Sequence, residues 1–258
     1  MTRLLFPHHT AVVSDNHFAP RHRMIILKEK YSRVEGVTTI AILADPACRK
    51  GWERNFPPML EKVWKEHAPQ LFIVAGDLAL NATAAEYHAI FRYLDRYPAT
   101  LAAVPGDHDR PLGLFRKHFG ALRKVVDAGR WRFIGINTSN RMFLARERKW
   151  IDDNVRADSI IFSHLPPEAD GWTFHSLWPR SSDNFLATVK RHRKKIHSMY
   201  FGHIHGYSER SYLGIPMTVT GALAESLVVK DNRYQGKGFF EMVIFDANSG
   251  NTRLCKMP

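Results

Sequence analysis

Leu71-Phe72-Ile73-Val74-Ala75-Gly76-Asp77 is an apolar run, β-branched or aromatic at several positions, cut off by Gly-Asp. A short continuous run of this kind reads as a strand buried on both faces, with a turn where the polarity changes. The same pattern stands on either side of it. Thr38-Thr39-Ile40-Ala41-Ile42-Leu43-Ala44-Asp45 precedes it, and Thr100-Leu101-Ala102-Ala103-Val104-Pro105-Gly106-Asp107 follows. Helices are predicted between the runs, over 57–67 and 83–96. The first opens on Pro57 and Pro58, which suit a helix start because the first turn has no use for the missing N–H. Strand, helix and strand in succession imply parallel pairing through crossovers, hence a layered α/β fold.

Downstream the alternation continues. A basic helical stretch covers 112–119, and strands are expected over 131–137 and 159–164 with a helix at 145–155 between them. A further helix ends at 195, and the strand after it leads into Gly202-His203-Ile204-His205. Strands at 215–220 and 239–245 close the chain, so the sheet is mixed or is two sheets packed together. The first 35 residues are less regular and read as an N-terminal extension. It contains a short apolar run ending in Asp15-Asn16-His17. No low-complexity tract, repeat or linker divides 1–258, which is read as one domain.

Composition narrows the class. The 258 residues are 45% hydrophobic and 24% charged, as in a soluble globule. No stretch has the length of apolar sequence a spanning helix needs. Nor does the N-terminus carry a secretory apolar segment. Cys48 and Cys255 make no disulfide framework. These features point to the cytoplasm. The formal net charge of +12 favours polyanions or anionic surfaces, nucleic acid and anionic lipid among them. Part of that charge is the run Lys190-Arg191-His192-Arg193-Lys194-Lys195. It is read either as a solvated helix end or as a phosphate-binding patch. The aromatic loop 170–178 either packs onto the body or stacks a substrate.

The chemistry gathers at the strand ends. Asp45, Asp77, Asp107, His164 and His203 each follow an apolar run, and ligands in open α/β sheets collect at the carboxyl ends of strands. Any one of them is compatible with a turn or a helix cap. Three carboxylates on one rim would repel one another unless cations neutralise them. His203 and His205 lie two apart and face the same side of an extended segment.

In order, Asp45, Gly76-Asp77, Gly106-Asp107-His108-Asp109, His164 and Gly202-His203-Ile204-His205 resemble the motifs of the calcineurin-like metallophosphoesterases, D-x-H, G-D, G-N-H-[DE], H and G-H-x-H. The resemblance extends from about residue 36 to the C-terminus. It implies a four-layer α/β/β/α sandwich with two mixed sheets, and a phosphate-ester substrate. It also implies two divalent transition-metal ions. Manganese is the first expectation, with iron, zinc or cobalt as alternatives suited to imidazole and carboxylate donors. Asp77 would bridge the ions, Asp45 and His205 would complete one set, and Asp107, His164 and His203 the other. Hydrolysis would proceed by in-line attack of a metal-bridging hydroxide. His108 would act as general acid, with Asp109 orienting its ring.

Two positions depart from the pattern. Asp107 stands where the family has asparagine, and adds a negative charge facing the phosphate. Ala47 stands where the first motif has histidine, whereas Asp15-Asn16-His17 has the motif's letters. Asp45 is preferred because the 32 residues from it to Asp77 (77 − 45) hold one loop and one helix, an ordinary crossover. These departures also motivate a rival reading, a fold that has lost turnover and binds a polyanionic partner.

Overall fold

The computed structural model describes residues 11–13, 23–47, 51–169, 172, 175–220 and 241–256. Its first elements are β1 (Ala11–Val13), β2 (Ile25–Ile26), β3 (Tyr31–Val34), β4 (Thr39–Leu43), α1 (Phe56–His67) and β5 (Leu71–Ala75). Then come α2 (Ala84–Leu94), β6 (Thr100–Val104), α3 (Gly113–Phe119), β7 (Lys124–Ala128), β8 (Trp131–Gly135) and α4 (Ala145–Asn154). The rest are β9 (Ser159–Phe162), α5 (Pro179–Arg191), β10 (Ile196–Phe201), β11 (Ser208–Tyr212), β12 (Ile215–Val219), β13 (Glu241–Asp246) and β14 (Thr252–Lys256).

The strands form two mixed sheets. The six-stranded sheet has the order β14-β13-β4-β5-β6-β2 and the eight-stranded sheet β1-β3-β7-β8-β9-β10-β12-β11. In the first, β4, β5, β6 and β2 run parallel and β13 and β14 pair antiparallel at one edge. In the second, β8, β9, β10 and β12 run parallel, with β7 antiparallel to β8 and β11 antiparallel to β12.

Period-two alternation divides the apolar side chains among three cores. Ala41, Leu43, Phe72, Val74, Leu101 and Ala103 face outward onto α1, α2 and α3. Their neighbours Ile40, Ile42, Leu71, Ile73, Ala102 and Val104 face inward and meet Val126, Phe133, Ile160, Phe162 and Tyr200 of the other sheet. That sheet's far face packs Ile134, Ile161, Met199 and Phe201 against Ile151 of α4 and Phe185 and Val189 of α5. The expected four-layer α/β/β/α sandwich is therefore what the chain forms.

The helix starts follow the sequence. Pro residues occupy the first turn of α1, and α2 opens on a capping box in which Thr83 and Glu86 exchange hydrogen bonds. The last helix differs from expectation. It stops at Arg191, where Arg191 and His192 both reach Asp152 of α4, and residues 192–195 turn into β10. The basic run thus lies at the amino end of β10. Six strand residues, about 20 Å at 3.3 Å each, separate it from the histidines at the carboxyl end. Of the two readings of this run, that placement favours the solvated helix end over a patch on the phosphate site.

Lys124 is fully buried at the start of β7, its Nζ donating to Leu27 O at 2.6 Å and Phe119 O at 2.8 Å. It ties the entry segment to the end of α3. Burial pushes its pKa down to about 7. The unfolded chain holds this proton to about pH 10.4. Between the two values the unfolded state binds more protons, so this group makes stability rise with pH. Thermal unfolding of wild type and Lys124→Met from pH 7 to 10 checks this: the wild type should gain relative to the variant across that window.

Candidate metal centre

The parallel strands of both sheets end at one place. Asp45 follows β4, Asp77 follows β5 and Asp107 follows β6, while His164 follows β9 and His203 and His205 follow β10. Two groups of donor atoms result, each within 4.8 Å of one another: Asp45, Asp77 and His205 in one, and Asp77, Asp107, His164 and His203 in the other. Asp77 belongs to both. All six residues expected from the sequence as ligands are thus brought together. Asp15 and His17, like Cys48, lie outside the described residues.

The backbone is shaped for this convergence. Asp45, Asp77, His203 and His205 have φ of 57, 56, 70 and 55°, a left-handed conformation uncommon for residues with a Cβ. Each lets the chain turn sharply off a strand end and aim its side chain across the rim. Glycine makes room for them. A Cβ on Gly106 would lie 2.0 Å from Asp77 Oδ1, and one on Gly76, whose φ is 90°, would lie 2.6 Å from His164 Nδ1.

The carboxylates are held by their neighbours. Asp77 Oδ1 accepts from His108 N at 3.0 Å. Asp77 Oδ2 is buried 3.2 Å from His164 Nε2 but without hydrogen-bond geometry to any donor among the described residues. Asp107 Oδ1 lies 3.0 Å from His164 Nε2 and 3.1 Å from His203 Nδ1. Asp45 accepts from His203 N and lies 3.4 Å from His205 Nε2. Burial resists the ionisation of Asp45, but His205, then His164 and His203, outweigh it and lower its pKa. For Asp107 burial is likewise overcome by hydrogen bonds from His164 and His203. Burial would lower the pKa of His164, yet the charge of Asp77, the hydrogen bond to Asp107 and the charge of Asp45 raise it well above the ordinary value.

These donors fit a metal. The His164 Nδ1 hydrogen is committed to Ala75 O at 2.9 Å, which presents Nε2 towards the carboxylates, as a backbone carbonyl commonly does behind a metal-bound histidine. Asp77 Oδ2, buried and without a hydrogen-bond donor among the described residues, is placed to take a cation.

His108 and Asp109 part company. His108 is exposed at the site, its ring Nδ1 bonded to Leu80 O at 2.9 Å. Asp109 does not touch that ring. Its carboxylate is buried beneath the loop, accepting from Leu78 N, Ala79 N, Gly106 N and the Tyr87 hydroxyl. The expected role of ring orienter is corrected by that geometry: Asp109 holds the 78–79 backbone, and Leu80 next to it holds the ring. Burial and the charge of Asp77 push the Asp109 carboxyl up to about 7, against the hydrogen bonds from Gly106 N, the Tyr87 hydroxyl and Leu78 N.

Two further side chains reach the site. Arg141 Nη2 is 3.2 Å from His203 Nε2. The ring of His175 lies 5.6 Å from that of His203, and burial, then His203 and Arg141, lower its pKa. Arg141 went unnoticed in the sequence, although it stands in a polar loop after a strand end on the same rim. Thr138 organises that loop, accepting from Leu165 N at Oγ1 and from Arg141 N at its carbonyl. In the aromatic loop Trp172 is buried and bonded to Ser208, whereas Trp178 is 55% exposed.

The sequence model described as Calcineurin-like phosphoesterase matches residues 8–207. The chain belongs to that family. A curated relative, the probable cyclic nucleotide phosphodiesterase of Synechococcus sp., is 24% identical over 204 residues, or 70% of this chain and 78% of the relative. Among solved structures, a protein of Thermus thermophilus superposes with a TM-score of 0.60 at 14% identity, covering 85% of this chain and 99% of that one. The purple acid phosphatase PPD1 of yellow lupin (Lupinus luteus) gives 0.61 at 12%, covering 85% of this chain and 53% of its own. At such identities these two speak for the fold alone. The calcineurin-like family implies divalent metal ions and metal-dependent phosphoester hydrolysis. No helix among the described residues is long and apolar enough to cross a membrane.

Gly106→Ala tests the tightness of the centre. Its Cβ would displace the Asp77 carboxylate, so the purified variant should hold less metal per chain than wild type by elemental analysis.

Proposed function

We propose that the protein is a dinuclear phosphodiesterase, and that a cyclic nucleotide is the first substrate to test. The observation that carries this reading is the single buried carboxylate of Asp77 shared by two donor sets. The name of the Synechococcus relative supports the substrate class. In this reading Asp45, Asp77 and His205 hold one ion, and Asp77, Asp107, His164 and His203 the other. Mixed nitrogen and oxygen donors suit manganese, iron, zinc or cobalt, manganese being tried first. Held there, such ions would supply Lewis-acid polarisation of the phosphoryl group and a water of lowered pKa.

The chain's own residues do the rest. Asp77 keeps both donor sets in one register. His108 delivers a proton to the leaving oxygen. Its Nδ1 hydrogen is committed to Leu80 O, so the delivered proton comes from Nε2 and the doubly protonated ring is the active form. Asp109 keeps Leu80 in place through the neighbouring amides.

The assay loads the protein with each metal in turn and offers bis-p-nitrophenyl phosphate, p-nitrophenyl phosphate and cyclic nucleotides. Hydrolysis of diesters in preference to monoesters is expected. Metal-loaded protein inert towards all of them would turn the reading to a polyanion-binding protein. His108→Ala should keep its metal and lose about 10²–10⁴-fold on a cyclic nucleotide, but much less on the p-nitrophenyl ester, whose leaving group needs no proton. Equal losses would remove His108 from the acid's role.

A further inference from the structure

Asp107 sets a charge problem that the family's asparagine does not. With Asp45 and Asp77 it makes three carboxylates around the centre. Two divalent ions set against three carboxylates leave one surplus positive charge to receive an anionic ester, where asparagine at 107 would leave two. Its Oδ1 is turned inward, towards His164 and His203. Its Oδ2 lies 3.9 Å from Arg141 Nη2.

Arg141 is held in place at some cost. Its φ is 62°, in the left-handed region that arginine rarely adopts. Non-glycine residues kept there persist when their surroundings over-determine them, and they concentrate at functional sites. Here the surroundings are the Arg141 N–H to Thr138 O at 2.8 Å and the Trp178 N–H to Arg141 O at 3.1 Å. The side chain is 38% exposed, with one end in the site and an edge open to solvent. Nη2 donates to His203 Nε2, while Nε and Nη1 have no acceptor among the described residues. Were His203 to hold a metal through the nitrogen that faces Asp107 and His164, its ring hydrogen would stand on Nε2 against Arg141. The guanidinium would then turn to Asp107 Oδ2 and to an entering anion.

We propose that Arg141 binds the phosphoryl group of the substrate and supplies the positive charge that Asp107 removes. This rests on the phosphoesterase reading. The pair then does the work of an asparagine without a cation, and it adds direction: a guanidinium offers a planar fork of donors matched to two phosphoryl oxygens. Arg141 reaches this position from the loop between β8 and α4, apart from the strand-end motifs that hold the metals.

The test measures inorganic phosphate binding to manganese-loaded protein by calorimetry, with metal content determined on each sample. Arg141→Ala should keep its metal and weaken phosphate by about 10–100-fold, the scale of a lost charge-assisted hydrogen bond. Arg141→Lys should fall between. The double variant Asp107→Asn/Arg141→Ala should recover part of the lost affinity, because the uncompensated charge leaves with Asp107. In steady-state assays of Arg141→Ala, KM should rise by a factor like that on phosphate, with kcat changed less. Phosphate affinity within twofold of wild type, loss of metal from Arg141→Ala, or a double variant no better than the single would each overturn the proposal. So would metal-loaded wild type that binds no phosphate. Wild type that binds phosphate and metal but hydrolyses no ester would remove the phosphoesterase reading and leave the Arg141 assignment standing. Wild type that hydrolyses esters, with Arg141→Ala unaffected, would remove only the assignment.

Discussion

The buried carboxylate of Asp77 is the constraint on which the rest of the structure depends. It stands at the end of β5 with no solvent to stabilise its charge, and burying a charge is costly unless it is paired. Oδ1 is met by the His108 amide, which fixes the turn that follows β6. Oδ2 faces His164, which comes from the other sheet. One side chain thus holds a loop of its own sheet and meets a histidine of the second. The glycines around it are there because nothing larger fits between those partners.

The fold was largely legible because strands buried on both faces read as unbroken apolar runs. β4, β5, β6 and β9 all do, while the helices that alternate with them bury only one apolar face. Less visible were strands whose composition is set by an edge or by one special side chain. β11, Ser-Glu-Arg-Ser-Tyr, and β14, Thr-Arg-Leu-Cys-Lys, lie at sheet edges, where polar residues are tolerated and edge pairing with other chains is discouraged. β7 opens on Lys124, a residue that argues against burial until its two carbonyl partners are seen. At the centre, the six residues expected as ligands were readable because each closes or follows an apolar run. Arg141 was not, since only the folded rim brings its loop to His203. The role of Asp109 was misjudged for a related reason: adjacency to His108 in sequence suggested contact with the ring, whereas its side chain turns under the loop to four other donors.

Four of the six residues at the centre sit in left-handed backbone. Such residues cost of order 1–3 kcal/mol each, and the carboxylate cluster adds its own repulsion. These costs are offset by three apolar cores and by parallel strands that are hydrogen-bonded up to the point where the ligands begin. The chain is most regular immediately before it is most strained, so little conformational freedom remains between the framework and the donor atoms.

Three of the donors end strands of one sheet and three end strands of the other. The distance between the two groups is therefore not set at the rim. It is set by the thickness of the layer between the sheets, by Ile40, Ile42, Ile73 and Val104 pressed against Phe133, Ile160 and Phe162. That apolar filling works as a spacer gauge: a methyl group removed or added there changes how far the three carboxylates stand from the three histidines. Interior residues that touch neither metal nor substrate thereby become part of the instrument that sizes the reactive gap.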